Sequence, residues 1–94
     1  MPAHLGTAVE RLALTLLNLA EAFEVEAGLT VHITPALAPE ELAALAGGTA
    51  RTVALLLEQL CKDGVVFQRR RRLVLSNPAA LHMLALGQVP ELAS

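Results

Sequence analysis

The sequence predicts a mainly α domain with a small β-hairpin, an α+β fold built on one core. Three observations point there. Apolar residues make up 54% of the 94 residues, yet only Phe23 and Phe67 are aromatic, and Trp and Tyr are absent. Such a core rests on Leu and Ala, which favour helices, and the length allows one small core, not two. The apolar spacing is helical along most of the chain and switches to alternation in short stretches. Finally, two short helical patterns meet at Gly47-Gly48, and a strand-turn-strand pattern follows them.

The elements follow in order. From Thr7 to about Phe23, Leu12, Leu16, Leu19 and Phe23 recur at helical spacing, with Val9, Ala13, Leu17 and Ala20 beside them. Gly28 marks a turn. Leu29, Val31 and Ile33 then alternate with Thr30, His32 and Thr34, the pattern of a half-buried strand that Pro35 ends. From Ala38, Pro39 suits the first turn of a helix, and Glu40 and Glu41 suit its positive end. Gly47-Gly48 breaks that helix and Thr49 caps the next. In the second helix Val53, Leu56, Leu57 and Leu60 share a face, and Lys62-Asp63-Gly64 closes it. Two short helices joined by a tight glycine turn form a helix-turn-helix unit. Residues 65–68 read as a strand, the arginines as a turn, and residues 73–76 as the return strand. Ser76 or Asn77 caps a last helix, with Pro78 in its first turn and Leu81, Leu84 and Ala85 facing inward. A helix-turn-helix followed by a hairpin is a winged helix-turn-helix. Residues 1–8 are expected to be an N-terminal segment or hinge remnant, 9–86 the domain, and 87–94 a flexible tail.

Composition narrows the function classes. Apolar runs are broken by Asn18, Glu24 and Glu58, well short of the roughly 18 uninterrupted apolar residues of a spanning helix. No membrane partner is expected, and no signal peptide is visible. Cys61, the single cysteine, is compatible with a reducing cytoplasm and packs by default as a small hydrophobe. His4, His32 and His82 are too scattered for a local metal motif, so no metal or other cofactor is expected. Glu24 with Glu26, and Glu40 with Glu41, lack an accompanying nucleophile or base, so no catalytic residues and no enzyme activity are expected. The near-absence of aromatics argues against stacking single-stranded bases.

The formal net charge is -2, but it is unevenly spread. Residues 47–76 hold six cations (Arg51, Lys62, Arg69, Arg70, Arg71, Arg72) against Glu58 and Asp63, a balance of +4. The remainder sets Arg11 against seven acids, a balance of -6. One basic face on an acidic body and an ordinary polar turn both fit that asymmetry.

Three stretches resemble the C-terminal DNA-binding domain of the cyclic-AMP receptor protein and fumarate–nitrate regulator (Crp/Fnr) family. RLALTLLNLAEAF, residues 11–23, is similar to its first helix. LAPEELAALAGGTARTVALLLEQLCKDGVV, residues 37–66, resembles its helix-turn-helix, and RRLVLSNPAALHML, residues 71–84, its return strand and closing helix. The resemblance spans about residues 9–86. It implies a cytoplasmic transcriptional regulator whose partners are double-stranded DNA, a second copy in a homodimer, and RNA polymerase. It further implies that helix 49–62 enters the major groove.

On that resemblance Arg51 is the main candidate base reader, because arginine binds guanine O6 and N7 together. Thr49, Ala50 and Leu55 occupy the other base-facing positions, and Thr52 reaches phosphate through its hydroxyl. Arg70 and Arg71 at the wing tip, flanked by Arg69 and Arg72, are the phosphate candidates. Ala50 and Leu55 depart from the basic or polar residues common in the family, and Ala38 replaces a polar cap. Leu55 points away from the inner face, toward either a thymine methyl or a protein surface. The alternative to DNA binding is therefore a degenerate winged helix used for protein contact or self-association.

Overall fold

Thr7 begins the first helix, α1 (Ala8–Leu19), through a reciprocal cap. Its hydroxyl accepts from the Glu10 N–H and Glu10 Oε1 accepts from the Thr7 N–H, each at 3.2 Å. Two orphan donors are thereby satisfied. The computed structural model describes residues 7–24, 28 and 30–88. Leu12, Ala13 and Leu16 on α1 are fully buried. Removing one such leucine to alanine costs about 2–5 kcal/mol.

Here the structure corrects the sequence reading. The helix stops at Leu19, and Glu21–Glu24 forms a strand, β1, paired antiparallel with β2 (Thr30–Ile33). Phe23 therefore lies opposite Val31 in the sheet and is 44% exposed, not on the inner face of a helix. The reason is tertiary. Both periods fit the spacing of Leu19 and Phe23, and pairing with β2 satisfies the backbone of Glu21–Glu24 between strands.

The next two helices are α2 (Pro39–Ala46) and α3 (Ala50–Lys62). Ala38 offers α2 no side-chain cap, but Glu41 Oε1 accepts from the Ala38 N–H at 2.8 Å. Between the helices Gly47 and Gly48 stand at φ 85° and 119°, where a residue with a Cβ is strained. α3 ends in a Schellman closure: Val65 N–H donates to the Leu60 carbonyl (3.0 Å) and Gly64 N–H to that of Cys61 (3.1 Å), with Gly64 at φ 74°. Val65 and Val66, expected in the strand, are fully buried but precede it. The hairpin is β3 (Phe67–Arg69) and β4 (Arg72–Leu75), and α4 (Pro78–Ala85) follows. Asn77 caps α4 by accepting from the Ala80 N–H at 3.1 Å. Gly87 and Gln88 fold back on α4, donating to the carbonyls of Leu84 (3.0 Å) and Met83 (2.8 Å). Residues 1–6 of the expected N-terminal segment, Leu29 of the expected strand, and residues 89–94 of the expected tail lie outside the described residues.

All four strands form one antiparallel sheet in the order β1-β2-β4-β3. α1 is central, packing on α4, α2 and α3. Leu73 and Leu75 turn the inner face of the sheet into the core with Leu12, Leu16, Leu42, Val53 and Leu81. Among the described residues no helix is long and apolar enough to cross a membrane.

Candidate nucleic-acid interface

Sequence and capping place α3 with one narrow side inward. Val53 and Leu60 are buried, with Leu56 and Leu57 half-buried against the same core. The 3.6-residue repeat then turns Arg51, Thr52, Ala54, Leu55 and Glu58 to solvent, and all five are exposed. Leu55 is 60% exposed, in the middle of this outward surface. Ala50 is half-buried. Thr49 is first of all a cap: its Oγ1 accepts from the Thr52 N–H at 3.2 Å and contacts Thr52 Oγ1 at 3.1 Å. Further along, Glu58 pairs with Lys62 at 3.8 Å and Gln59 donates to Asp63 at 3.1 Å. Glu58, Lys62 and Asp63 leave the far end of α3 with a net charge of -1, and Arg51 is the cation of its first turn.

Two links outside the sequence reading hold α2 and the wing to the rest. Arg11 of α1 donates from Nε to the Ala46 carbonyl at 3.1 Å, placing a cation at the C-terminal end of α2 beside the glycine turn. Thr34, 1% exposed, joins β2 to β4. Its N–H donates to the Leu73 carbonyl at 3.0 Å, its Oγ1 accepts from the Leu73 N–H at 3.0 Å, and its hydroxyl donates to the Pro35 carbonyl at 3.0 Å. In addition, the Leu37 N–H donates to the Arg71 carbonyl at 3.2 Å. The wing is thus tied to the segment that enters α2. A threonine that ends a strand is the only sequence signal for this tie.

The wing itself is a two-residue hairpin. Arg69 pairs with Arg72 across the last ladder rung, and Arg70 and Arg71 form the loop. Arg70 stands at φ 59°, alone among the described non-glycine residues. Glycine would occupy that position without the roughly 1–2 kcal/mol that a Cβ costs there. Side chains on paired residues project to the same face, so Arg69 and Arg72 share a face with Phe67 and Val74. The four arginines, with Ile33, Ala36 and Val74, border a basin of about 590 Å3. All four are exposed, and no carboxylate among the described residues pairs with them or with Arg51.

Of the histidines read as too scattered for a metal motif, His32 and His82 both line one groove with Asn18, Leu14 and Leu86 between α1, α4 and the inner side of the sheet. His4 lies outside the described residues. Among the described residues no three His, Cys, Asp or Glu side chains are grouped to hold a metal.

Comparison with known proteins then bears on what this arrangement is. The model of the Crp-like helix-turn-helix domain family matches residues 10–84. Among solved structures, the chain is similar to a Crp/Fnr-family transcriptional regulator from Thermus thermophilus, at 28% identity and a TM-score of 0.70 over 86% of this chain and 41% of that one. A second regulator of the Crp family from that organism gives 27% identity and a TM-score of 0.71 over 94% and 44%. The Thermus thermophilus catabolite activator protein gives 29% and 0.64 over 85% and 34%. The chain thus spans less than half the length of these solved relatives. No curated protein matches it. With the match covering most of its length and the helix-turn-helix and wing both in place, the chain belongs to the Crp-like helix-turn-helix domain family.

Proposed function

We propose that the domain binds double-stranded DNA as the reading unit of a Crp/Fnr-type transcriptional regulator in the cytoplasm. The observation that carries this is the pairing of an outward, capped α3 with a wing of four exposed arginines that no carboxylate among the described residues neutralises. α3 enters the major groove with Arg51 against a guanine edge. Leu55 meets thymine methyl groups, the apolar feature the groove presents. Ala50, half-buried, and Thr49, engaged as the cap, shape the approach of the helix, while Thr52 reaches a phosphate. Arg70 and Arg71 hold the backbone from the hairpin loop, supported by Arg69 and Arg72. Two copies read paired half-sites, and RNA polymerase is the protein such a complex meets at a promoter.

A second reading is favoured by one observation, the 60% exposure of Leu55 on α3: a surface that contacts protein instead of DNA. One experiment separates them. Affinity for duplex DNA is measured by fluorescence anisotropy as salt is raised, for the parent domain and for Arg70→Ala/Arg71→Ala. DNA binding gives log K falling linearly with log salt, and the double variant flattens the slope by about 1–2 units. No binding at low salt supports protein contact. Binding with an unchanged slope in the variant removes the wing from the interface.

A further inference from the structure

The last turn of α2 holds no basic residue. Its end is served from another helix instead. Arg11 of α1, half-buried, donates from Nε to the carbonyl of Ala46, the last residue of α2, at 3.1 Å. A charged donor there satisfies an orphan carbonyl and opposes the negative end of the helix dipole. A Cβ placed on Gly47 would meet the same Nε at 3.5 Å, whereas one on Gly48 would stand in open space. The guanidinium therefore lies against the first glycine of the turn. It is mounted on the central helix, beside the fully buried Leu12, and α1 packs on α2, α3 and α4.

We infer that Arg11 is a positioning residue for DNA reading, acting through the Ala46 carbonyl to set the glycine turn and with it the first turn of α3. The inference rests on the proposed docking of α3 in the major groove. Only Gly47, Gly48 and Thr49 separate the anchored carbonyl from α3, and Arg51 is the second residue of that helix. Glycine has the widest choice of φ and ψ, so a hold on the upstream end of this pair restricts where α3 begins. A bidentate contact with guanine needs two hydrogen bonds in line at once. It fails on small changes of approach that a phosphate contact through a long, exposed arginine tolerates. Loosening the Arg11 bond should therefore cost base discrimination and leave the phosphate contacts in place. Were Arg11 itself a phosphate contact, the reverse would follow.

Two substitutions separate these roles. In Arg11→Gln an amide nitrogen stands as many bonds from Cα as Nε does, so the donor stays and the charge goes. In Arg11→Met a methyl group stands there, so the stem stays and the donor goes. Fluorescence anisotropy compares them on the duplex the parent prefers and on that duplex changed at the base pair where Arg51→Ala relaxes preference. Salt is varied, and circular dichroism confirms the fold. A good arginine–guanine pair gives the parent roughly five- to hundredfold discrimination. Arg11→Met is expected to lose most of it with the salt slope unchanged, and Arg11→Gln to keep it. Discrimination retained in Arg11→Met overturns the inference. So does its loss in Arg11→Gln, or a slope flattened by about one unit in both with discrimination intact, the mark of a phosphate contact. If Arg11→Met does not fold, the Nε–H signal of Arg11 in the parent decides by NMR. Slow exchange with solvent is expected in the free and DNA-bound protein, and fast exchange in the complex overturns the inference. A parent that binds no duplex, or binds without discrimination, fails the proposed DNA reading, and this inference with it, before any variant is compared. The other failures need a parent that binds and discriminates, so the two are told apart.

Discussion

Thr34 and Arg51 separate what a residue does for the fold from what it does for recognition. Thr34 is buried and uses its hydroxyl both to accept from Leu73 N–H and to donate to the Pro35 carbonyl. Replacing it with valine keeps the shape but leaves a buried backbone donor unpaired. Thr34→Val should therefore lower the unfolding free energy by about 1–3 kcal/mol, while Thr34→Ser keeps most of it. Urea denaturation of the two variants decides this; a loss in Thr34→Ser with none in Thr34→Val would mean that packing of the methyl group, not the hydroxyl, matters. Arg51 is the reverse case. It is exposed and the fold does not lean on it. Arg51→Ala should leave the denaturation midpoint unchanged and cost about 1–3 kcal/mol on the preferred duplex, relaxing preference at one base pair. A loss spread evenly over all sequences would reassign Arg51 to phosphate.

At the scale of elements, the turn between α2 and α3 is the part where local chemistry decides most. Gly48 stands at φ 119° with open space around the position of a Cβ, so any penalty for a side chain there is conformational, not steric contact with neighbours. Gly48→Ala should destabilise the domain by about 1–3 kcal/mol and, by tilting α3, reduce DNA affinity beyond what stability explains. Thermal unfolding and anisotropy on the same samples would show both effects, and an unchanged melting temperature would mean that the turn relaxes freely. This turn was legible in the sequence because glycine pairs and a following threonine cap are local signals. The helix-turn-helix, the wing and α4 were legible for the same reason. β1 was not, because Leu19 and Phe23 satisfy a helical period as well as a strand, and only pairing with β2 resolves the choice. The wing tie through Thr34 was hidden too, since its partner Leu73 lies 39 residues away. The candidate site divides similarly. The exposure of Arg51, Leu55 and the arginines followed from periodicity, whereas the half-burial of Ala50 depends on packing between helices.

For the whole molecule, size and charge set what one copy can achieve. The domain measures 44 × 28 × 23 Å, enough to reach along about one turn of duplex DNA, roughly 34 Å, so on the proposed reading one copy meets one half-site. Its cations are concentrated in residues 47–76 while the formal net charge is -2, so attraction to DNA is confined to one face and the acidic remainder opposes it. A single copy should bind weakly and gain strongly from being joined to another. Two copies connected by a flexible Gly/Ser linker should bind an inverted pair of selected half-sites, centred one helical turn apart, about 100- to 10,000-fold more tightly than the single domain. Moving one half-site by about 5 bp rotates it to the opposite side of the duplex and should abolish most of that gain. Anisotropy titrations on the two duplexes at fixed salt measure it. A tandem protein that gains equally on both duplexes would owe its affinity to added charge alone, and the reading of α3 as a groove-specific element would fail with it.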